Sequence, residues 1–359
     1  MKYIDEYRDR EKVAVLIDEI KKHALHKITL MEVCGGHTMS IQKFGIPALL
    51  PETVNLISGP GCPVCVTDRK YIDQAIAYSR LPDTIITTYG DLIRVPGSTS
   101  SLDKEKAQGR DVRIVYSVLD ALKIAKENPL KNIIFLGIGF ETTTPGSAVG
   151  ILNAKKEGLN NFFLFSAHKV MPPAMDALID ESVKIDGYIG PGHVSAIAGT
   201  RIYDFIPEKF GIGVVISGFE PVDLLASILM LVKQFESGKP AVEIQYKRIV
   251  KRDGNPSAQQ IIDEVLEPRD DWWRGLGVLP ASGLGIKPKF SDFDAEKQFD
   301  VEVEPTRKDK ACICGEVLKG IAKPKDCKLF GKGCTPYDPV GPCMVSSEGA
   351  CHAYFRYNR

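Results

Sequence analysis

The chain alternates between short runs of β-branched and aromatic residues and longer stretches whose apolar positions recur at helical spacing. The first such stretch, residues 4–26, sets Val13, Val15, Leu16 and Ile20 on one face and predicts a helix. Residues 28–33 then predict a strand that ends at Cys34. Residues 54–58 predict a second, ending in Gly59-Pro60-Gly61-Cys62, and residues 83–88 a third, running into Tyr89-Gly90-Asp91. Residues 112–116 follow as a strand, with a helix near 118–127. A second series has strands at 132–137, 162–166, 187–189 and 213–217. They lead into Gly139-Phe140-Glu141-Thr142-Thr143, His168, Pro191-Gly192-His193 and Gly218-Phe219-Glu220 respectively.

Strands separated by helical stretches predict βαβ units and mostly parallel sheets. The nearly unbroken Val/Ile/Leu/Phe character of the strands fits sheets covered on both faces. The expected fold class is α/β: two similar α/β domains, at 1–127 and 128–238, followed by a linker and a small Cys-rich domain at 239–359. In that last part Trp272-Trp273 and the Gly-rich residues 275–285 punctuate the chain without forming a repeat.

Charge narrows the partners. Lys and Arg together number 46, as do Asp and Glu, so no global field favours nucleic acid or an anionic membrane. The opening MKYIDEYRDREK lacks the apolar segment of a secretory leader. The longest tempting apolar run, residues 224–232, is too short to span a bilayer. A cytoplasmic protein is expected.

The cysteines change the picture most. Cys34, Cys62 and Cys65 lie near the start; Cys312, Cys314, Cys327, Cys334, Cys343 and Cys351 lie in the tail; none lies between. Free cysteines used as small hydrophobes would spread through the core. Their odd number, nine, in a chain of 359 residues also argues against a disulfide scaffold. Two thiolate sites, with soft-metal or redox chemistry, account for the pattern.

Ligands of open α/β sheets bind beyond the carboxyl ends of the strands. Cys34-Gly35-Gly36-His37-Thr38, the Cys62-x-x-Cys65 pair, Glu141, His168, His193 and Glu220 all follow predicted strand ends, which points to a cleft between the two halves. Cys62 and Cys65 suit one metal or a reversible disulfide. With Cys34 on the neighbouring strand, three thiols can converge and leave a metal coordinatively open. His37 suits a ligand, a proton relay or a polar residue at a helix start. Singly, His168 and His193 are more often structural, and Glu141 and Glu220 also suit helix N-termini. The tail spacing lacks the paired C-x2-C knuckles of structural zinc. Four of its six cysteines suit a [4Fe-4S] cluster and the other two a redox pair, with zinc as the alternative.

Cys34-Gly35-Gly36-His37-Thr38, Gly59-Pro60-Gly61-Cys62-Pro63-Val64-Cys65, Gly139-Phe140-Glu141-Thr142-Thr143, Pro191-Gly192-His193-Val194-Ser195 and Cys343-Met344-Val345-Ser346-Ser347-Glu348-Gly349-Ala350-Cys351 together resemble the HypD family of hydrogenase maturation proteins. The resemblance runs through nearly the whole chain, with no departure at the motif positions. It implies a scaffold for assembling the Fe(CN)2(CO) unit of nickel–iron hydrogenase, in complex with a small HypC-type chaperone. Cyanide would come from HypE, itself served by HypF. By the same resemblance Cys34, Cys62 and Cys65 belong to the centre where mononuclear Fe(II) receives CN and CO. Cys312, Cys327, Cys334 and Cys351 then hold a [4Fe-4S] cluster, in surroundings likened to ferredoxin–thioredoxin reductase. Cys314 and Cys343 remain as a disulfide-forming pair; Cys312 and Cys314 compete for the first ligand position. His37, Glu141 and His193 are the expected catalytic companions, with Glu141 and His193 facing the thiols from the second half and acting on the ligand donor. Two other readings are an iron–sulfur thiol/disulfide oxidoreductase carrying no mononuclear iron and a zinc-stabilised interaction protein.

Overall fold

A computed structural model describes residues 5–179, 183–307 and 311–358. The first α-helix is Arg10–His23, shorter than the apolar pattern suggests. Asp9 ends it on the N-terminal side: its backbone is extended and its carboxylate accepts the N–H groups of Glu11 and Lys12 at 2.9 and 3.2 Å. Ile4, where the predicted helix began, lies outside the described residues.

Eleven strands follow among the described residues: β1 Ile28–Glu32, β2 Val54–Ser58, β3 Thr84–Thr88, β4 Val112–Ile114, β5 Asn132–Gly139, β6 Phe162–His168, β7 Gly187–Pro191, β8 Gly213–Ser217, β9 Val242–Ile244, β10 Leu266–Trp273 and β11 Gly277–Ile286. β4 stops two residues short of expectation because the backbone N–H groups of Tyr116 and Ser117 turn to Asp120, which closes a capping box at the helix Val118–Glu127. β5 and β6 run further than expected and stay paired to Gly139 and His168.

The strands form two all-parallel sheets, in the orders β2-β1-β7-β8-β9 and β4-β3-β5-β6, and an antiparallel ribbon of β10 and β11. The α/β class and the two similar units stand as the sequence suggests. The sheets do not follow the boundary at 127/128. Residues 1–127 supply β1 and β2 to one sheet and β3 and β4 to the other, and residues 128–238 likewise serve both. Past residue 238, β9 still completes the edge of the first sheet. Parallel neighbours are joined only through crossovers, so a whole unit fits between β1 and β7, which pair from Leu30↔Gly187 onward.

One apolar core, built from Ile134, Leu136, Tyr188, Ile216 and Trp273 among others, runs continuously into Cys62, Cys65, Cys314 and Cys343 of the two thiol regions. The ribbon packs beside β6 through the Lys169↔Gly283 bridge. The last helix, Ala350–Tyr357, lies against the helix Gly35–Lys43, where Asn358 donates to Gln42 at 3.1 Å. Among the described residues no helix is long and apolar enough to cross a membrane.

Candidate functional site: a cleft joined to a thiol-lined cavity

The cleft opens where the two sheets meet at their carboxyl ends. It encloses about 300 Å³, and its walls include Cys34, Tyr89, Asp91, Thr142, His193 and Glu348. Cys34 stands at the start of the helix Gly35–Lys43 with extended backbone angles. Close approach accounts for its glycine neighbours. A Cβ on Gly61 would lie 2.4 Å from the Cys34 nitrogen, and one on Gly35 2.4 Å from the Cβ of Glu348. The tail thus closes over the strand end that carries Cys34. Ser346 secures it by donating to Asp91 at 2.7 Å. Burial pushes the Cys34 thiol up to about 12, so the free protein keeps it protonated.

His193 also faces this space. Its ring stacks on Phe219 at 4.1 Å, and Phe219 in turn stacks on His37 at 4.6 Å. Burial lowers the His193 pKa, which favours a neutral imidazole. His37 is fully buried beneath Phe219 and outside the cleft lining, with Nε2 at 3.2 Å from the Ser217 carbonyl and Nδ1 without a partner. Burial holds its pKa down to about 4.

Glu141 points away from the cleft. Phe140, Thr142 and Thr143 line the cleft, whereas Glu141 turns to the opposite side and accepts the N–H of Met171 at 3.0 Å, at the start of the helix Met171–Ile179. A helix N-terminus offers exposed N–H donors and a favourable dipole for a carboxylate. The second carboxylate oxygen is buried without a partner, and burial raises Glu141 to about 7. His168 is structural: its Nε2 lies 2.7 Å from the Ser147 hydroxyl. Glu220 precedes the helix Pro221–Ser237 and pairs with Arg8 at 2.8 Å.

Cys62 and Cys65 lie just under the cleft, with no side chain on its lining. Cys62 caps the short helix Pro63–Val66, its sulfur accepting the Cys65 N–H at 3.3 Å. The Cys65 thiol faces those of Cys343 and Cys62, and burial, aided by both neighbours, raises its pKa well above the usual thiol range. Cys343 in turn contacts Cys314, and the thiols of Cys314 and Cys65 lower its pKa by hydrogen-bonding to its sulfur. Cys314 lies 3.2 Å from Cys312, sulfur to sulfur, and contacts Cys351. The sequence separates the thiols into two groups; the fold joins them into one series from Cys62 to Cys351.

The far end of that series opens on a small closed cavity lined by Cys312, Cys314, Cys327, Cys334 and Cys351, with Leu329, Phe330 and Met344 completing the wall. The donor set is sulfur alone in apolar surroundings, which suits a thiolate-bound iron–sulfur cluster. Gly341 leaves the space: a Cβ there would sit 2.6 Å from the Cys312 sulfur and 2.7 Å from that of Cys314. Both candidates for the first ligand therefore border the cavity, and Cys314 alone of the two also touches Cys343. Among the described residues no three His, Cys, Asp or Glu side chains are arranged to hold a single metal ion.

Three participants escaped the sequence reading. Glu32 lies in a buried apolar run, accepts from the Thr38 hydroxyl at 2.6 Å and from the Cys34 N–H at 3.3 Å, and is raised by burial to about 8. A carboxylate inside a strand as apolar as residues 28–33 was the available signal. Glu348 was visible only as part of the tail motif. Arg274, which donates to the carbonyls of Cys65 and Thr67, both at 2.9 Å, carried no signal at all.

A family model described as "HypD: Hydrogenase formation hypA family" matches residues 11–358. The chain is 48% identical to hydrogenase maturation factor HypD2 of Bradyrhizobium diazoefficiens, over 100% of this chain and 97% of that protein. It is 47% identical to hydrogenase maturation factor HypD of Cupriavidus necator, covering 100% and 98%. The corresponding Escherichia coli factor is 45% identical over 100% of this chain and 99% of its own length. With its motifs, its cleft and its thiol series in place, the chain belongs to the HypD family of hydrogenase maturation factors.

Proposed function

We propose that this chain is the scaffold on which the Fe(CN)2(CO) unit is assembled, with a HypC-type chaperone as partner and cyanide arriving from HypE, loaded by HypF. The observation that carries the reading is the thiol series that runs from Cys62 and Cys65, beneath the cleft, to the sulfur-lined cavity. Fe(II) with CN and CO is the cargo. Cys34 is the thiol that offers it a soft ligand in the cleft, with Cys62 and Cys65 one layer below. Freeing cyanide from a thiocyanate leaves the donor sulfur two electrons short. In this reading the Cys62–Cys65 pair gives up two electrons by thiol–disulfide exchange, and Cys343 and Cys314 restore them.

Cys312, Cys327, Cys334 and Cys351 would hold the [4Fe-4S] cluster, leaving Cys314 and Cys343 as the exchangeable pair. Such a cluster supplies single electrons at low potential to the neighbouring thiols. His193 serves the donor by hydrogen bonding or proton transfer within the cleft. Glu141 acts on the helix Met171–Ile179, outside that step.

One observation favours the alternative of a thiol/disulfide oxidoreductase without mononuclear iron: Cys62 and Cys65 do not line the cleft. Anaerobic purification with the HypC-type chaperone followed by infrared spectroscopy separates the two. Cyanide and carbonyl bands together with iron in excess of the cluster support assembly; their absence from an active redox protein supports the alternative.

A further inference from the structure

The thiol series opens to solvent at Cys312 and Cys314, and the chemistry of that opening differs from that of the cleft. A pocket of about 260 Å³ is lined by Cys312 and Cys314 and walled by Arg69, Arg274, Arg307 and Trp272. Among the described residues its lining holds one carboxylate, Asp68, which accepts the backbone N–H of Lys70 at 3.3 Å. Among the described lining residues, three guanidinium groups against one carboxylate give a local positive excess in a chain whose formal net charge is zero. The walls are tied in place. Arg274 donates to the carbonyls of Cys65 and Thr67 and lies 5.9 Å from the Trp272 ring, and Arg69 donates to the Arg307 carbonyl at 2.7 Å. The volume is just below that usual for drug-sized ligands, which suits a small molecule.

We propose that this pocket binds a small thiol bearing carboxylates, which re-reduces the Cys314–Cys343 pair. The inference rests on the proposed role of that pair in the relay. The carboxylates would sit on the guanidinium groups, for which planar forked pairing is favourable, with the thiolate directed at the Cys314 sulfur. Once the pair has given up two electrons it is a disulfide. The incoming thiolate forms a bond to the Cys314 sulfur, the Cys314–Cys343 bond breaks, and the electron pair leaves on Cys343. A second thiolate attacks the outer sulfur, forms the small disulfide and releases Cys314 as thiolate. Two thiolates are consumed and two appear, so no proton is taken up, and two small thiols are oxidised as one protein disulfide is reduced.

The test uses the full chain, anaerobic and with its cluster loaded, oxidised mildly and then reduced with 3-mercaptopropionate, 2-mercaptoethanol or cysteamine. Rates are read by alkylation and peptide mass at Cys314 and Cys343, corrected for thiolate fraction and basicity. The anionic thiol should react about tenfold faster than the neutral one, and the cationic one slowest. Added salt should shrink the preference. Arg307→Gln, at an exposed position, and Arg69→Gln should bring the three reagents towards parity without changing cluster absorbance or thermal midpoint. Equal rates in the unaltered protein, or a preference that survives both substitutions, would overturn the pocket assignment alone. If Cys314 and Cys343 never pair on oxidation, the relay reading falls and this inference falls with it.

Discussion

The thiol of Cys65 faces that of Cys343, so a residue of the first unit and one of the tail meet at a fully buried point. In the proposed relay this pair joins the thiols beneath the cleft to those of the tail. Cys343→Ser should leave cluster absorbance in place, because Cys343 does not border the cavity. It should slow re-reduction of an oxidised Cys62–Cys65 pair at least about tenfold. Alkylation with mass mapping after anaerobic reduction reads this directly. Unchanged re-reduction would show that electrons reach the cleft by another route.

Cys327→Ala and Cys334→Ala should each remove the tail metal and lower the thermal midpoint, since metal binding contributes folding energy to a small Cys-rich segment. Gly341→Ala should reduce cluster loading with little global loss, because its methyl would contact two sulfurs and no backbone. Iron, sulfide and zinc analysis of protein prepared without oxygen gives the readout. Stoichiometric zinc with no iron would make the cavity a structural zinc site.

His193→Ala should retain the fold, the iron and the chaperone while slowing cyanide attachment, by about a hundredfold if it serves as a general acid or base. Iron content and cyanide bands are measured on the same complex. Loss of iron at an unchanged thermal midpoint would make His193 a ligand.

Two buried imidazoles set an acid limit on stability. The pKa values of His37 and His168 are held at about 4 against an ordinary 6.5. Between those values the unfolded chain binds protons that the folded one refuses. Their contribution is therefore complete above pH 6.5 and is lost as pH falls towards 4. Glu32 and Glu141, raised by burial to about 8 and about 7, take up protons on folding across much of the same window and oppose that loss. The imidazole effect is therefore read by difference: as pH falls from 6.5 towards 4, His168→Gln should lose less of its thermal midpoint than the parent. A midpoint as steep in His168→Gln as in the parent would assign the acid loss elsewhere.

The strand ends were legible because β-branched runs stop abruptly at Gly and Cys, and the ligand-bearing loops followed from them. What the sequence could not express was pairing. Nothing in residues 28–32 says that their neighbour is 187–191, since parallel strands carry no turn to mark a partner. The direction of Glu141 was hidden for a related reason. It hydrogen-bonds Met171, thirty residues on, and local pattern gives no hint of that helix. The thiol series was half visible: both groups of cysteines stood out, but only the packing of residues 343–351 on the first unit joins them.

Because β1 waits for β7, the chain must be made in a particular order before the site exists. Sheet β4-β3-β5-β6 is complete by residue 168, whereas the first sheet lacks its centre until residue 191 and its edge until residue 244. During synthesis the inserted unit can fold while Cys34, Cys62 and Cys65 remain uncovered. Glu348 and Cys343 reach them only after the chain has been made past residue 348. The early thiols therefore gain their cover from residues made about 280 positions later, and until then their shielding by the tail is absent.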